Sequence, residues 1–400
     1  MITRVQVKNF RSMADIDVEL GRLTVLVGRN GAGKSAFLDV LRFVRDSFSL
    51  GLESAIADRQ GIASIRRWAP RKRHDLEVDL TARYRRRSGQ YSIAISSQKS
   101  GAYNVVRERC DVWNVLTRKR YEFETGDGKW IVPPHCHDLL SGERQKAERS
   151  LPDEGVLPAD ALVLPALAPF WPEFSGFIKA LLGHFYYISP KTLRQPQKPS
   201  QVRLLTDGGE NLASVLRELQ RKDSGFADVI AAMKRVVDGI EDVRVQQVGG
   251  YLVTELKHND IGHESRAQPW FELARESDGT LRILGILVAL YQAGRQGLTI
   301  AFEEPENALH PGALPVLADV LREASRRNQI LVTTQSPDLI SNFGVHELRV
   351  VERVNGLTQI NRIQRSQRQA IEERLFSAGD LVRVEGLHVE PPPPHERPGA

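Results

Sequence analysis

Eight residues near the N-terminus, Gly28-Arg29-Asn30-Gly31-Ala32-Gly33-Lys34-Ser35, have the types and spacing of a phosphate cradle. Glycines let main-chain N–H groups turn inward around phosphate oxygens, and a following helix adds the positive end of its dipole. Lys34 can reach the β- and γ-phosphates of a nucleoside triphosphate, and the Ser35 hydroxyl can ligate Mg²⁺. Asn30, Gly31, Ala32, Gly33, Lys34 and Ser35 are therefore candidate nucleotide contacts. A second group, Glu303-Glu304-Pro305-Glu306, directly follows the apolar run Leu298-Thr299-Ile300-Ala301-Phe302. At the end of a buried strand, the first acid can hold the Mg²⁺ shell and the second can orient and deprotonate an attacking water.

Two further segments could meet phosphate. In Glu276-Ser277-Asp278-Gly279-Thr280-Leu281-Arg282, Ser277 is a good N-cap, and read alone it is only that. Leu331-Val332-Thr333-Thr334-Gln335-Ser336-Pro337 ends a strand in polar residues. Gln335 there can hydrogen-bond a phosphate or a water but cannot carry a proton. The basic runs Arg66-Arg67, Arg71-Lys72-Arg73 and Arg85-Arg86-Arg87 are either a solvated face or a contact for the phosphate backbone of double-stranded DNA. In the second case Arg71, Lys72 and Arg73 are the candidates. Cys110 with His135-Cys136-His137 lacks the paired-cysteine knuckle of a zinc site and reads better as a His-rich loop.

These groups need a frame. Ile2, Val5 and Val7 alternate as a first strand, and Ile16, Val18 and Leu20 as a second. Leu23–Val27 is continuous and apolar, as a strand buried on both faces should be. A helix opens at Lys34. Residues 76–82 and 91–95 alternate as antiparallel strands. Prolines 133, 134, 152, 158, 165, 169 and 172 argue against long regular elements from about 120 to 170. Helices are predicted over 173–184, 211–221 and 225–237, then a hairpin turning at Gly249-Gly250, a helix after Ser277, and buried strands at 298–302 and 330–334. The fold class is α/β. Its expected parts are an N-terminal lobe 1–110, an inserted irregular, partly helical subdomain 111–203, a C-terminal lobe 204–387 and a disordered Pro-rich tail 388–400.

Composition sets the outer limits. With 400 residues, 41% hydrophobic and 26% charged, wholesale disorder is excluded. No apolar run approaches the roughly 18 residues of a membrane span. The first residues lack a signal-peptide core, and two cysteines make no disulfide framework, so a cytoplasmic protein is expected. A net charge of +5 is a weak pointer to a polyanionic partner.

The four motifs, in this order, resemble the ABC-type ATPase heads of the RecF, SMC and OLD families, and most of all the compact bacterial AAA family ATPases of RecF type. Val7-Lys8-Asn9-Phe10-Arg11-Ser12 is similar to their opening strand and turn, which places Arg11 near the nucleotide. Leu204–Ala213, the Walker B and D-loop run Glu303–Pro311, and the close Phe376–Gly386 are similar too. The likeness spans most of 1–387 and is poorest over 110–200. It implies a P-loop NTPase head that hydrolyses ATP to ADP and phosphate with Mg²⁺. Lys34, Glu304 and Gln335 would be catalytic, and Ser35, Glu303 and Gln60 would hold the metal. Gln60, in Asp58-Arg59-Gln60-Gly61, stands for the Q-loop, or for a plain loop. Ser277 and Gly279 would form the ABC signature, which meets the partner's γ-phosphate in an ATP-dependent homodimer.

The departures are Glu303 for the usual Asp, Gln335 for the usual His and no long coiled coil as in SMC, and the Toprim domain that OLD nucleases add after the ATPase is not expected within these 400 residues. Three settings follow from the resemblance: DNA repair or genome maintenance, the ATPase subunit of an anti-phage defence system with a separate nuclease, or a nucleotide-gated clamp with little turnover. An intact Glu304 disfavours the last.

Overall fold

A computed structural model of the chain describes residues 1–68, 74–98, 101–126, 129–131, 154–156, 160–169, 171–222, 225–259, 270–292 and 297–391. The first strands are β1 (Ile2–Phe10), β2 (Met13–Glu19) and β3 (Leu23–Val27). Next come β4 (Leu76–Tyr84), β5 (Arg87–Ser97), β6 (Tyr103–Asn114), β7 (Lys119–Gly126), β8 (Lys129–Ile131), β9 (Glu154–Val156) and β10 (Gly183–Tyr186). The last are β11 (Ile240–Val248), β12 (Tyr251–His258), β13 (Trp270–Glu272), β14 (Thr299–Glu303), β15 (Gln329–Thr334), β16 (Leu348–Val354) and β17 (Leu357–Asn361). They form an eight-stranded antiparallel sheet, β2-β1-β4-β5-β6-β7-β8-β9, a six-stranded sheet, β10-β14-β15-β3-β16-β17, and the small sheet β11-β12-β13.

The six-stranded sheet is parallel except for β17, and its central strands are buried throughout, β3 and β15 at every residue. Period-2 alternation sends their side chains to opposite faces. Leu26, Ala301 and Leu331 face one core, with Phe37, Leu38 and Leu41 of the helix Lys34–Ser49 and the inner face of the antiparallel sheet. Val25, Ile300, Phe302, Ile330 and Val332 face the other, with Leu281, Leu284 and Leu287 of the helix Asp278–Tyr291 and Leu317 and Leu321 of the helix Leu314–Ser325. Each of these valine, leucine, isoleucine and phenylalanine side chains contributes roughly 1.5–3 kcal/mol by leaving water.

One buried amide joins the two large sheets. Gln329, the first residue of β15, donates from Nε2 to Ile2 O (2.6 Å) and Gly21 O (2.9 Å). Its Oε1 accepts from Ile2 N (2.8 Å) and Thr299 Oγ1 (3.0 Å). All four hydrogen-bonding positions are used, which is what a fully buried amide requires.

The structure changes several expectations. The helix foreseen over 173–184 stops at Leu181, and Gly183–Tyr186 turns into β10, an outer strand of the parallel sheet. Residue 110 falls inside β6, and the described part of 111–203 is built into both sheets rather than standing apart. The start of the supposed tail is pinned: His388 N donates to Gln367 Oε1 (2.9 Å) and Glu390 N to Arg362 O (2.8 Å), while 392–400 lie outside the described residues. Two of the basic runs lie apart: Arg66 bridges to Phe10 at one end of β1, whereas Arg83 N bonds Met1 O at the other, where Arg85–Arg87 follow, and Arg71, Lys72 and Arg73 lie outside the described residues. Gly249 and Gly250 do turn the β11–β12 hairpin, both at positive φ.

Glu108 on β6 is fully buried. Its carboxylate accepts from Val163 N (2.5 Å), Leu164 N (3.1 Å) and Tyr91 Oη (3.1 Å), tying the segment before the helix Leu164–Leu167 to the sheet. Burial pushes this carboxyl up to about 7, against the pull of those three bonds. A carboxyl raised in the folded state keeps its proton while the unfolded chain loses it. Stability therefore falls as pH rises from the unfolded value to about 7 and is flat above. Denaturant unfolding of wild type should lose up to about 3 kcal/mol across that window from this group, and Glu108→Gln should remove the slope. Parallel pH profiles for the two proteins would contradict this.

Candidate nucleotide site

Parallel pairing sets the strand ends level. Val27 pairs with Thr334, and Thr333 pairs with Glu303, so β3, β15 and β14 finish at one edge. In open α/β sheets, ligands bind at such carboxyl ends. The loop 28–33 leaves β3 there and enters the helix Lys34–Ser49. Gly31 and Gly33 hold positive φ (75° and 115°), the left-handed region that glycine enters without cost. Gly28 is required for another reason: a Cβ there would collide with the Val351 carbonyl of β16.

Lys34 is buried, and its Nζ donates to Gly28 O (2.6 Å) and Arg29 O (3.1 Å). Burial pulls the ammonium pKa down, while the charges of Glu304 and Glu306 push it back up. Ser35 is exposed at the first turn of the helix, and Asn30 is exposed on the loop. Arg11, at positive φ in the β1–β2 turn, pairs with Asp39 of the same helix (2.7 Å). Asp39 also accepts from Arg59 (3.0 Å), which reaches Asp46 (2.9 Å).

Glu303 ends β14 and pairs through Oε1 with Arg42 Nη2 (3.2 Å), whose guanidinium lies over Phe185 of β10. Glu304 stands at φ 43°, a left-handed conformation costing of order 1–3 kcal/mol for a residue with a side chain. Its N–H is held by Thr333 O (2.9 Å), and its carboxylate accepts from Asn307 Nδ2 (3.1 Å). Gln335 follows β15, half-buried, just before Ser336 caps the helix Pro337–Ile340. The strand ends thus bring the Lys34, Glu304 and Gln335 segments to one edge.

Ser277 is exposed and caps the helix Asp278–Tyr291, accepting from Thr280 N at 3.1 Å. Gly279 is buried, and a Cβ there would sit 2.5 Å from Ala308 O, so glycine lets this helix lie against the turn after the Glu303–Glu306 acids. Gln60 lies exposed on a left-handed turn, and among the described residues no hydrogen bond joins its side chain to 28–35. Arg71, Lys72, Arg73, His135, Cys136 and His137 lie outside the described residues, and Cys110 is buried in β6.

Several residues of this site were not read from the sequence. Glu306 is buried, accepts from the Thr334 hydroxyl through Oε1, and leaves Oε2 buried without a hydrogen-bond partner among the described residues. Burial pushes its carboxyl above the usual range, as does the charge of Glu304. In the sequence its one mark is its place two residues past Glu304, in the acidic run that follows Phe302. Thr358 of β17 donates to Ala32 O (2.8 Å) and meets Ser12 Oγ at 2.7 Å, and its side chain fills the space beside Gly33. No local signal marks it, because its partners lie more than three hundred residues earlier. Thr358→Val keeps the shape and removes these bonds. It should cost about 1 kcal/mol of stability and weaken nucleotide binding several-fold, read by calorimetric titration. Unaltered affinity would show that the loop holds its form without this brace.

Residues 23–341 match the family model described as "AAA domain, putative AbiEii toxin, Type IV TA system". A curated protein of Thermus scotoductus named OLD nuclease is 54% identical over 377 residues, which is 88% of this chain and 62% of that protein. The chain thus spans less than two thirds of that relative's length. Among solved structures, an SMC head bound to the C-terminal domain of ScpA, from Pyrococcus furiosus, is similar at 14% identity and a TM-score of 0.49, covering 94% of this chain and 99% of that one. The SMC head domain of Thermotoga maritima gives 11%, 0.41, 91% and 99%. Among the described residues no helix is long and apolar enough to cross a membrane. With a level parallel strand edge, a glycine loop that holds Lys34 and a family model that matches most of its length, the chain belongs to the AAA-domain family which that model describes.

Proposed function

We propose that this chain binds ATP with Mg²⁺ and hydrolyses it by in-line attack of water on the γ-phosphate, at a site completed by a second copy of the chain. The observation that carries the reading is the buried Lys34 held in the field of Glu304 and Glu306, at the edge where β3, β14 and β15 end together. A buried lysine at the mouth of a glycine loop, its Nζ donating to the loop carbonyls of Gly28 and Arg29, is suited to a polyphosphate. The strained Glu304 is suited to a water-activating base, and Gln335 to a γ-phosphate contact. The donors also suit the metal: the Ser35 hydroxyl and the Glu303 carboxylate are hard oxygens of the kind Mg²⁺ takes. Bound there, Mg²⁺ would neutralise phosphate charge. Gln60 is a further proposed contributor to that shell, and Arg11 to the nucleotide.

Lys34→Ala should abolish tight ATP binding, because the phosphates lose their buried cation. Glu304→Gln should bind ATP and retain it, with turnover lowered ~10²–10⁴-fold. Filter-bound nucleotide and phosphate release measure the two. Near wild-type release from Glu304→Gln would move the base elsewhere.

The two-copy site is supported by where Ser277 sits. Its described neighbours are Thr280 and, through Glu276, Asp278 and Gly279, residues Arg194, His258 and Ala308, all outside 28–35. The exposed hydroxyl and helix end are therefore open to another molecule's triphosphate. In this arrangement two ATP molecules lie between two heads related by a two-fold axis, and loss of the γ-phosphate loosens them. Ser277→Arg should block ATP-driven dimerisation by bulk. Light scattering in the Glu304→Gln background reads it, and a monomer at saturating ATP without the arginine change would end the two-copy model.

A nuclease-linked role is a second reading, favoured by the name of the 54% identical relative. The head would then couple ATP turnover to a nuclease in DNA repair, genome maintenance or anti-phage defence. Arg71, Lys72 and Arg73 are its proposed contacts with double-stranded DNA.

A further inference from the structure

The end of the helix Asp278–Tyr291 poses an electrostatic problem for any anion approaching Ser277. Asp278 is the first residue of that helix, and its side chain is more than half exposed. Glu276 precedes Ser277. A serine meant for a triphosphate thus stands between two acids, and an uncompensated carboxylate there would repel the phosphate that the helix dipole attracts.

Both acids have basic partners. The Glu276 carboxylate is turned onto β12, where Oε1 meets His258 Nε2 at 2.8 Å. Arg194 deals with the rest. Its Nη1 lies 2.5 Å from Asp278 Oδ1, and its Nη2 donates to Glu276 O at 2.8 Å. One planar guanidinium therefore spans the residues on either side of Ser277, a fork geometry that lysine does not offer. Arg194 is itself well anchored. It caps the short helix Pro190–Leu193 that follows β10. Tyr187 N bonds Asp207 O (2.9 Å), and the Asp207 carboxylate takes Arg45 Nη1 of the helix Lys34–Ser49 at 3.0 Å. The segment that presents Arg194 to Ser277 is thus tied to the helix that carries the same chain's phosphate loop.

We propose that Arg194 is the positioning residue of the Ser277 loop: it cancels the Asp278 charge and fixes the loop so that the Ser277 hydroxyl can meet the γ-phosphate held by a second copy. The inference rests on the two-copy reading above. Arg194 acts through Asp278 and the Glu276 carbonyl.

The test is a charge-rescue series in the Glu304→Gln chain, which holds ATP, with dimer dissociation read by light scattering over a range of protein concentration in ATP and in ADP. Arg194→Ala should weaken the ATP-bound dimer about tenfold or more, as loss of a charge-assisted pair predicts. Adding Asp278→Asn should restore most of it, since the carboxylate needing compensation is then gone. A purely structural role for Arg194 would give no such rescue. If Arg194→Ala melts below the assay temperature, Arg194→Gln keeps a donor for the Glu276 carbonyl, drops the charge and carries the same comparison. Absence of an ATP-dependent dimer in the Glu304→Gln parent would overturn the two-copy reading itself. A parent that dimerises while Arg194→Ala dimerises equally well, or a double variant no tighter than Arg194→Ala, would overturn the role given to Arg194.

Discussion

Everything at the nucleotide site depends on the parallel register of β14, β15 and β3. Parallel hydrogen bonds fix which residues stand side by side, and here they set Glu303 beside Thr333 and Leu26, and Thr334 beside Val27. A slip of one residue would turn each strand's side chains to the opposite face, taking Leu331 and Val332 out of their separate cores. The register is therefore held by burial on both sides. The polar ends are carried to the edge by an apolar pattern that has no chemistry of its own.

At that edge the molecule accepts local costs that the cores offset. Lys34 and Glu306 are both buried, and Glu304 occupies a backbone region that side chains disfavour. Each departs from what stability alone would select, and the three are gathered at one strand edge rather than scattered. Strain and buried charge concentrated in this way mark sites whose geometry is held ready for a ligand.

Much of this was legible in the sequence because the signals are local. The glycine pattern before Lys34, the apolar strand before Glu303 and the cap at Ser277 each lie within about ten residues, and each fell where expected. What was not legible depends on contacts between distant segments. Gly28 reads as one glycine of a turn until Val351 stands against it. Thr358 looks like an ordinary strand residue until it bonds Ala32. β10 is four residues between helices, too short to show a period, and Phe185 and Tyr186 join the sheet because β14 offers an open edge. Arg194 carried no sign of its role, since Asp278 lies 84 positions away in the numbering.

Gln329 also constrains the order in which the chain can assemble. The residues it joins, Ile2 and Gln329, are 327 positions apart, and β3 has its two neighbours in β15 and β16. Synthesis in chain order therefore leaves the phosphate-loop strand β3 with both edges bare until β15 has been made. During that interval the antiparallel strands β1, β2 and β4 to β6, whose pairings are comparatively local, can form first and give the helix Lys34–Ser49 a surface to rest on. The glycine loop after β3 is thus made long before β14 to β16, the strands that give it its final shape. A nascent or truncated chain, lacking β14 to β16, would carry the glycine motif intact without the sheet that aims it.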